Sequence, residues 1–360
     1  MPELAEIGWG PFFDKAFQET GEAQLEAGRV AVEHRDGYDL YTVGGVIQAT
    51  AAGKLHFNAE SKSDLPKVGD WVLFSRFDDG NAIVQVVLPR RTKFSRKEAG
   101  RTTREQILAA NIDYIFIVQS LDNNFNLRRL ERYLVMVYEG GANPVIILNK
   151  TDLSDHPESQ LMAATDVAGK VPIIMMSAIE DADLDKLDEF IRPGITLALI
   201  GSSGVGKTTI INRLLGSQLL RTNDVREKDS KGRHTTTRRE MILLPKGGLI
   251  IDTPGMKELQ LWSSDDGLHD TYSDFDALAG DCHFSDCSHL HEKRCAVISA
   301  VESGDISEER YASYVKLQKE IVALEERQDA IMLLEKKRKN KSISREIRKF
   351  YRERPKRKGQ

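Results

Sequence analysis

Gly201-Ser202-Ser203-Gly204-Val205-Gly206-Lys207-Thr208 comes directly after the apolar run Ile195-Thr196-Leu197-Ala198-Leu199-Ile200 and fits G-x-x-x-x-G-K-[ST]. This is a buried strand feeding a phosphate loop. Glycines let successive backbone N–H groups turn inward around a phosphate, and the helix that follows presents its positive end to the same anion. Lys207 is placed to meet the β and γ phosphates and the Thr208 hydroxyl a Mg²⁺, with Thr209 beside it. The chain therefore binds a nucleoside triphosphate on an α/β sheet.

Working upstream, buried-strand runs alternate with helical patterns. Asp113-Tyr114-Ile115-Phe116-Ile117-Val118, Pro144-Val145-Ile146-Ile147-Leu148 and Val171-Pro172-Ile173-Ile174-Met175-Met176 read as strands. Leu127, Leu130, Leu134 and Val137 recur at helical spacing, and Leu184-Asp185-Lys186-Leu187 belongs to a further helix. Such alternation predicts a parallel sheet covered on both faces. The second strand ends in Asn149-Lys150-Thr151-Asp152 and the third in Ser177-Ala178, at the strand ends where open α/β sheets bind ligands. A carboxylate at Asp152, expected to be buried, accepts two hydrogen bonds from the N1–H and N2 amino groups of guanine, a donor pair adenine lacks. Asn149 is assigned to the Hoogsteen edge, the Lys150 stem to the ring face, and a backbone N–H at Ala178 to O6.

Downstream, Gly248-Leu249-Ile250-Ile251 leads into Asp252-Thr253-Pro254-Gly255. Asp252 is expected to hold Mg²⁺ through water and the Gly255 N–H to sense the γ phosphate. Between them, Gly232-Arg233-His234-Thr235-Thr236-Thr237-Arg238 should supply a threonine to the Mg²⁺ shell; Thr236 is favoured over its two neighbours. All five guanine-nucleotide elements are present, but N-K-T-D and S-A precede the phosphate loop, so the domain is a circularly permuted GTPase. Closely spaced chain ends in compact domains make that rearrangement possible. Met256 stands where Ras-like enzymes place a water-orienting glutamine, so intrinsic hydrolysis should be slow. His234 is the local candidate for positioning water, with Arg233 as charge stabiliser and Lys207 and Gly255 as phosphate contacts; the plain alternative is that His234 shapes its loop.

The remainder of the chain adds flanking modules. At 360 residues, two or three domains are expected. No apolar run approaches the ~18 residues of a membrane span and the acidic start does not resemble a signal peptide, so a cytoplasmic location is expected. The formal charge of −4 conceals an acidic body and a basic tail, residues 335–360, that carries thirteen Lys and Arg against three Glu. Such a tail suits nucleic acid, though it also suits a solvated end. Five short alternating strands between Gly28 and Arg91 suggest a small closed barrel of the oligonucleotide-binding (OB) type. Its exit, Arg90-Arg91-Thr92-Lys93-Phe94-Ser95-Arg96-Lys97, is either a linker or an RNA-facing stretch in which Phe94 stacks among cations. Ahead of the barrel, Gly8-Trp9-Gly10-Pro11-Phe12-Phe13 reads as a segment that packs on a later domain.

Every cysteine, Cys282, Cys287 and Cys295, lies within fourteen residues and among histidines. Three thiolates and one imidazole make a tetrahedral Zn²⁺ set with no open position, hence a structural site. His283, His289 and His291 compete for the fourth place. The chain reaches this cluster directly from the D-x-x-G loop through Leu259-Gln260-Leu261-Trp262, so γ-phosphate contacts are expected to bias its orientation.

In combination, N-K-T-D, S-A, G-S-S-G-V-G-K-T, G-R-H-T-T-T and D-T-P-G, flanked by a barrel and a cysteine cluster, resemble the bacterial RsgA (YjeQ) family of small-ribosomal-subunit-dependent GTPases, from about Gly28 to Glu320. The resemblance places the fourth metal ligand at His289. It implies a multidomain chain: an N-terminal segment (1–27), an all-β OB barrel (28–95), a permuted α/β P-loop GTPase (96–260), a mostly helical zinc domain (261–334) and the basic tail (335–360). It also implies GTP and GDP, Mg²⁺ and one structural Zn²⁺ as ligands, the 30S subunit and 16S rRNA as partners of a monomer, and late 30S maturation with ribosome-stimulated hydrolysis. A second reading is a nucleotide-gated RNA-binding placeholder whose hydrolysis only resets it. A large-subunit permuted GTPase fits the barrel and Cys₃His pair less well.

Overall fold

The computed structural model describes residues 3–77, 80–98, 105–180, 183–216, 239–252, 265–327 and 330. Helix α1 (Pro11–Thr20) precedes five strands: β1 (Glu26–Glu33), β2 (Tyr38–Thr42), β3 (Gly45–Ala51), β4 (Trp71–Arg76) and β5 (Ala82–Val87), with α2 (Gly53–Asn58) between β3 and β4. They close in the order β1-β2-β3-β5-β4 back to β1, antiparallel except for the β3–β5 pair. Alternation fills the interior: Ile47 and Ala49 point inward from β3, joined by Val30, Leu40, Val72, Phe74 and Val84. This is the expected barrel. The aromatic segment ahead of it packs on β4, where the Trp9 and Trp71 ring centroids lie 4.7 Å apart edge to face.

The barrel exit departs from both readings of the sequence. Residues β6 (Lys93–Lys97) pair antiparallel with β7 (Glu105–Ala110). Phe94 is buried in the main core rather than offered to a base. Arg90 forks onto the fully buried Asp70 at 2.8 and 2.7 Å, and Arg91 pairs with Asp113. Arg90, Arg91 and Lys93 are thus paired with carboxylates of the protein itself, the last two at its surface. The signal was masked because charges fill three of the five β6 positions.

A second, mostly parallel sheet follows: β8 (Tyr114–Ser120), α3 (Leu127–Glu139), β9 (Asn143–Asn149), α4 (Pro157–Ala168), β10 (Ile173–Met176), β11 (Thr196–Ile200), α5 (Lys207–Leu214), β12 (Glu240–Leu243) and β13 (Leu249–Asp252). The order is β10-β9-β8-β11-β13-β12, with only β12 antiparallel. The phosphate-loop strand thus lies centrally although it comes fourth in sequence. The helix expected near Leu184 is a 3₁₀ helix over Leu184–Phe190. Strand β12 also bonds to β1 at Val32↔Glu240, and the Tyr41 hydroxyl donates to the Met241 carbonyl at 2.8 Å, so the barrel continues the GTPase sheet.

Arg29 fastens this junction. Its guanidinium is 1% exposed and donates to the carbonyls of Ile7 (2.6 Å), Gly69 (3.2 Å) and Asn111 (2.8 Å) and to the Thr196 hydroxyl (2.8 Å). One side chain therefore joins the N-terminal segment, the barrel, the connecting hairpin and β11. Burial lowers its pKa to about 10, against the nearby Asp113 and Asp70 charges, which raise it. Arg29→Ala removes the side-chain donor from the buried Ile7 and Asn111 carbonyls and should cost roughly 3 kcal/mol or more. Denaturant unfolding checks it; a loss below about 1 kcal/mol would show that the junction does not depend on this residue.

The C-terminal region is helical: α6 (Asp265–Thr271), α7 (Ser273–Ala279), α8 (Ala296–Ser303) and α9 over 308–327. It packs on α3 so closely that a Cβ at Gly267 would lie 2.3 Å from the Val135 carbonyl oxygen. Polar clamps fix the contact. Buried Glu131 accepts from Ser313 and pairs with Arg310, which forks onto Asp274, while Arg132 forks onto Glu320 at 2.7 and 2.6 Å. Burial pushes the Glu131 carboxyl up; the Ser313 hydrogen bond and the Arg310 charge oppose that.

Candidate functional site

Parallel strands bring their carboxyl ends to one edge of the sheet, with Met176 opposite Asn149, Asn149 opposite Ser120 and Ile200 opposite Ile117. The loops leaving that edge carry the nucleotide motifs, although the motifs are permuted in sequence. Val205 is buried, and the loop turns at Gly201, Gly204 and Gly206 into α5. Gly206 has φ +101°, and a Cβ there would sit 2.2 Å from Asn149 Nδ2, so no other residue fits without displacing the base motif. The Lys207 ammonium donates to the Gly201 and Ser202 carbonyls at 2.7 and 2.6 Å, which pins it across the mouth of the loop. Thr208 and Thr209 occupy the first turn of α5.

Asn149 joins the two halves. Its Nδ2 donates to the Val205 carbonyl at 2.8 Å and its Oδ1 accepts from the Ala178 N–H at 3.0 Å, so one carboxamide bridges phosphate loop, N-K-T-D and S-A. Lys150 adopts φ +64° and its ammonium meets Asp122 at 2.8 Å, which stretches its stem along the site. Partial burial would raise the Asp122 carboxyl, but hydrogen bonds from Lys150, Ser120 and the Asn124 N–H outweigh it and hold the pKa below the ordinary value. Asp152 is exposed, contrary to the expectation of burial, because it sits in the short 3₁₀ turn beyond the end of β9. Its Oδ1 accepts from the buried Ser177 hydroxyl at 2.5 Å, which fixes the carboxylate's direction. Thr151 begins a short 3₁₀ turn beside it. Arg213 of α5 also grips the Ala178 and Ile179 carbonyls, at 3.2 and 2.9 Å.

Asp252 ends β13, half-buried. Burial, and secondarily Glu240 across the strand pair, raises its carboxyl pKa, whereas Lys207 lowers it. A cation there would relieve both penalties, which suits a Mg²⁺-facing carboxylate. Of the residues expected around Mg²⁺, Thr208 and Asp252 lie among the described ones. His234, Arg233, Thr235, Thr236, Thr237, Gly255 and Met256 lie outside the described residues, as does the basic tail.

The second centre lies between α7 and α8. Cys282, Cys287, His289 and Cys295 bring their ligand atoms within 4.8 Å of one another. His289 Nδ1 lies 3.6 Å from Cys282 Sγ and 3.3 Å from Cys295 Sγ, and the two sulfurs are 3.9 Å apart. Tetrahedral Zn²⁺ with Zn–S near 2.3 Å gives sulfur–sulfur edges of about 3.8 Å, so the set fits. His283 and His291 are exposed and stand outside the cluster. Backbone N–H groups of Ala296 and Ile298 point at the Cys282 and Cys295 sulfurs, support that favours thiolates. Burial lowers the His289 pKa and keeps its imidazole in the neutral, ligating form.

Sequence reading missed Asp122, Asn124, Arg129 and Arg213, which hold the site from a non-periodic polar loop and from helix faces. Their signal is local: Asp122-Asn123-Asn124 and Asn126 suit side-chain-to-backbone turns and a helix cap, and Asn126 does cap α3.

A family model described as RsgA GTPase matches residues 87–262, and one described as 50S ribosome-binding GTPase matches residues 196–358. Small ribosomal subunit biogenesis GTPase RsgA 1 of Oceanobacillus iheyensis is 43% identical over 334 residues, covering 92% of this chain and 95% of the relative. Small ribosomal subunit biogenesis GTPase RsgA of Methanosarcina acetivorans is 45% identical over 315 residues, 87% and 84% of the two chains. Among solved structures, YjeQ from Thermotoga maritima superimposes with a TM-score of 0.64 at 25% identity, over 83% of this chain and 99% of that one. No helix among the described residues is long and apolar enough to cross a membrane.

Proposed function

The chain belongs to the RsgA family of small ribosomal subunit biogenesis GTPases, and from that membership we propose that it binds the 30S subunit through 16S rRNA, as a cytoplasmic monomer, and assists late maturation by hydrolysing GTP when the particle stimulates it. The observation that carries this is Asn149, whose single carboxamide ties the guanine motif to the phosphate loop across the permuted order. Asp152, fixed by Ser177, reads the base; Lys150 covers it; the Ala178 N–H, expected at O6, is instead given to Asn149 Oδ1 and orients that carboxamide; the N–H groups of 201–209 and Lys207 hold the phosphates. Mg²⁺, held by Thr208, Asp252 and one threonine of 235–237, with Thr236 favoured, would neutralise charge developing on the transferred phosphoryl group. Gly255 senses the γ phosphate. His234 is the residue we assign to the attacking water, since Met256 has no polar group for that work.

The Cys₃His set is assigned one structural Zn²⁺, which ties the segment between α7 and α8 together. In this reading the barrel of 28–95, the zinc domain of 261–334 and the basic tail of 335–360 face RNA around the GTPase of 96–260. The test is GTP turnover alone, with purified 30S and with 50S subunits. Slow turnover that rises by roughly 10-fold or more with 30S alone is expected, on the scale that trans-acting activators reach or exceed. Equal rates in all three would remove the 30S particle as the activator.

A further inference from the structure

The loop from β8 to α3, Ser120-Leu121-Asp122-Asn123-Asn124-Phe125-Asn126, belongs to none of the motifs that define the nucleotide site. Yet it touches both halves of that site. The Leu121 N–H donates to the Asn149 carbonyl at 2.9 Å, and Asp122 Oδ2 takes the Lys150 ammonium at 2.8 Å. Two residues on, Asn124 Nδ2 donates to Ser202 Oγ at 3.0 Å and reaches the Ser203 carbonyl at 3.4 Å. Asn124 is itself held from behind. Arg129 of α3 donates to Asn124 Oδ1 at 2.9 Å, to its backbone carbonyl, and to Gln119 Oε1 at 3.3 Å, while Asp122 Oδ1 accepts the Asn124 N–H at 2.9 Å. These bonds set which way the carboxamide faces: its oxygen is used by Arg129, so its amide hydrogens point at the phosphate loop.

We propose that Asn124 is a positioning residue for the phosphate loop, holding the Ser202-Ser203-Gly204 turn so that the Gly204 N–H faces the nucleotide's phosphates. The Ser203 carbonyl and the Gly204 N–H share one planar trans peptide and point in opposite directions. A carbonyl drawn outward toward Asn124 therefore turns that N–H inward, where the ring of loop donors meets an anion. Gly204 has φ +80°, and a Cβ there would meet no atom within 4 Å, so the turn is open on that side, while buried Val205 anchors it on the other. The same loop holds Lys150, so base cover and phosphate cradle share one support.

This inference rests on the GTPase reading but not on the ribosome, and its test uses neither subunit. Dissociation constants of the full-length chain for fluorescent GDP and GTP are measured for wild type, Asn124→Ala, Asn124→Asp, Ser202→Ala and the Asn124→Ala/Ser202→Ala double variant, with the nucleotide-free melting temperature of each. Asn124→Ala should weaken both nucleotides about fivefold, the scale of one side-chain hydrogen bond. Asn124→Asp keeps the volume and gives Arg129 a charged partner, yet sets an acceptor against the Ser203 carbonyl and a negative charge beside the phosphates. It should therefore bind roughly 50-fold more weakly than wild type while melting no lower. The double variant should be no weaker than Asn124→Ala alone, because both remove one contact. A merely structural Asn124 would give the reverse order, with Asn124→Asp close to wild type, and that order overturns the proposal. Full additivity with Ser202→Ala also overturns it, and this comparison remains available through Ser202→Ala should Asn124→Asp fail to fold. Wild type that bound no guanine nucleotide would instead defeat the GTPase reading.

Discussion

Asp152→Asn is expected to weaken GTP binding by roughly 10³-fold and to admit xanthosine triphosphate in its place. The direction follows from Ser177. Its hydroxyl donates to Asp152 Oδ1, and in the asparagine variant the amide oxygen must keep that place because the amide nitrogen cannot accept. Oδ1 retains a lone pair for the purine N1–H, and the nitrogen is left facing position 2. Guanine presents an amino group there, so two donors meet; xanthine presents a carbonyl, so donor meets acceptor. Little stability should be lost, since Asp152 is exposed without ligand. Equilibrium binding of fluorescent GTP and its xanthine analogue checks the exchange. A variant that still held GTP within threefold of wild type would show that Asp152 does not read the base.

Cys295→Ser should release the metal and melt the helical module over 265–327. Cys295 is 2% exposed, its sulfur lies against both Cys282 and His289, and it also caps α8 by accepting from the Ile298 N–H. Structural zinc contributes about 10–16 kcal/mol in small peptides, a large share of any domain's stability. Metal content should fall from one Zn²⁺ per chain to near zero, and the main unfolding transition should drop by roughly 10 °C or more. GTP affinity should change less than threefold, because Asn149, Lys207 and Asp252 lie on the GTPase sheet rather than in the module. Elemental analysis and calorimetry decide it; a variant that kept its zinc would mean that the remaining ligands suffice.

The nucleotide site was legible because its chemistry demands glycines and charged residues at fixed offsets, and the parallel strands because their apolar runs are continuous. Five barrel strands were visible through alternation, Ile47 and Ala49 facing in between Val46, Gln48 and Thr50. Legibility failed where charge hid a strand, as in Lys93–Lys97, whose one strongly buried side chain, Phe94, looked like a surface aromatic. The short strand β12 has four residues and no period to detect. Asp152 is expected in the interior because guanine recognition favours a dry carboxylate, but it lies exposed in the turn beyond β9. His289 was separable from His283 and His291 by resemblance rather than by spacing, since any of the three lies within reach of the thiols in sequence. Asn124 escaped because its role depends on Arg129 and Ser202, five and 78 residues away.

Permuting the motifs also changes the order in which the molecule is made. Strands β8, β9 and β10 leave the translating ribosome in succession and are neighbours in the sheet, so they can zip together at once. Strand β11, which covers the other side of β8, is synthesised some 80 residues later. Until then Ile115, Phe116, Ile117 and Val118, all fully buried in the finished protein, line an open, apolar edge on the nascent chain, the kind of edge that recruits foreign strands. The strand ends that carry Asn149 to Asp152 and Ser177 are thus made before the loop Gly201 to Thr208. Closure waits for residue 200, and Asp252 follows only with β13.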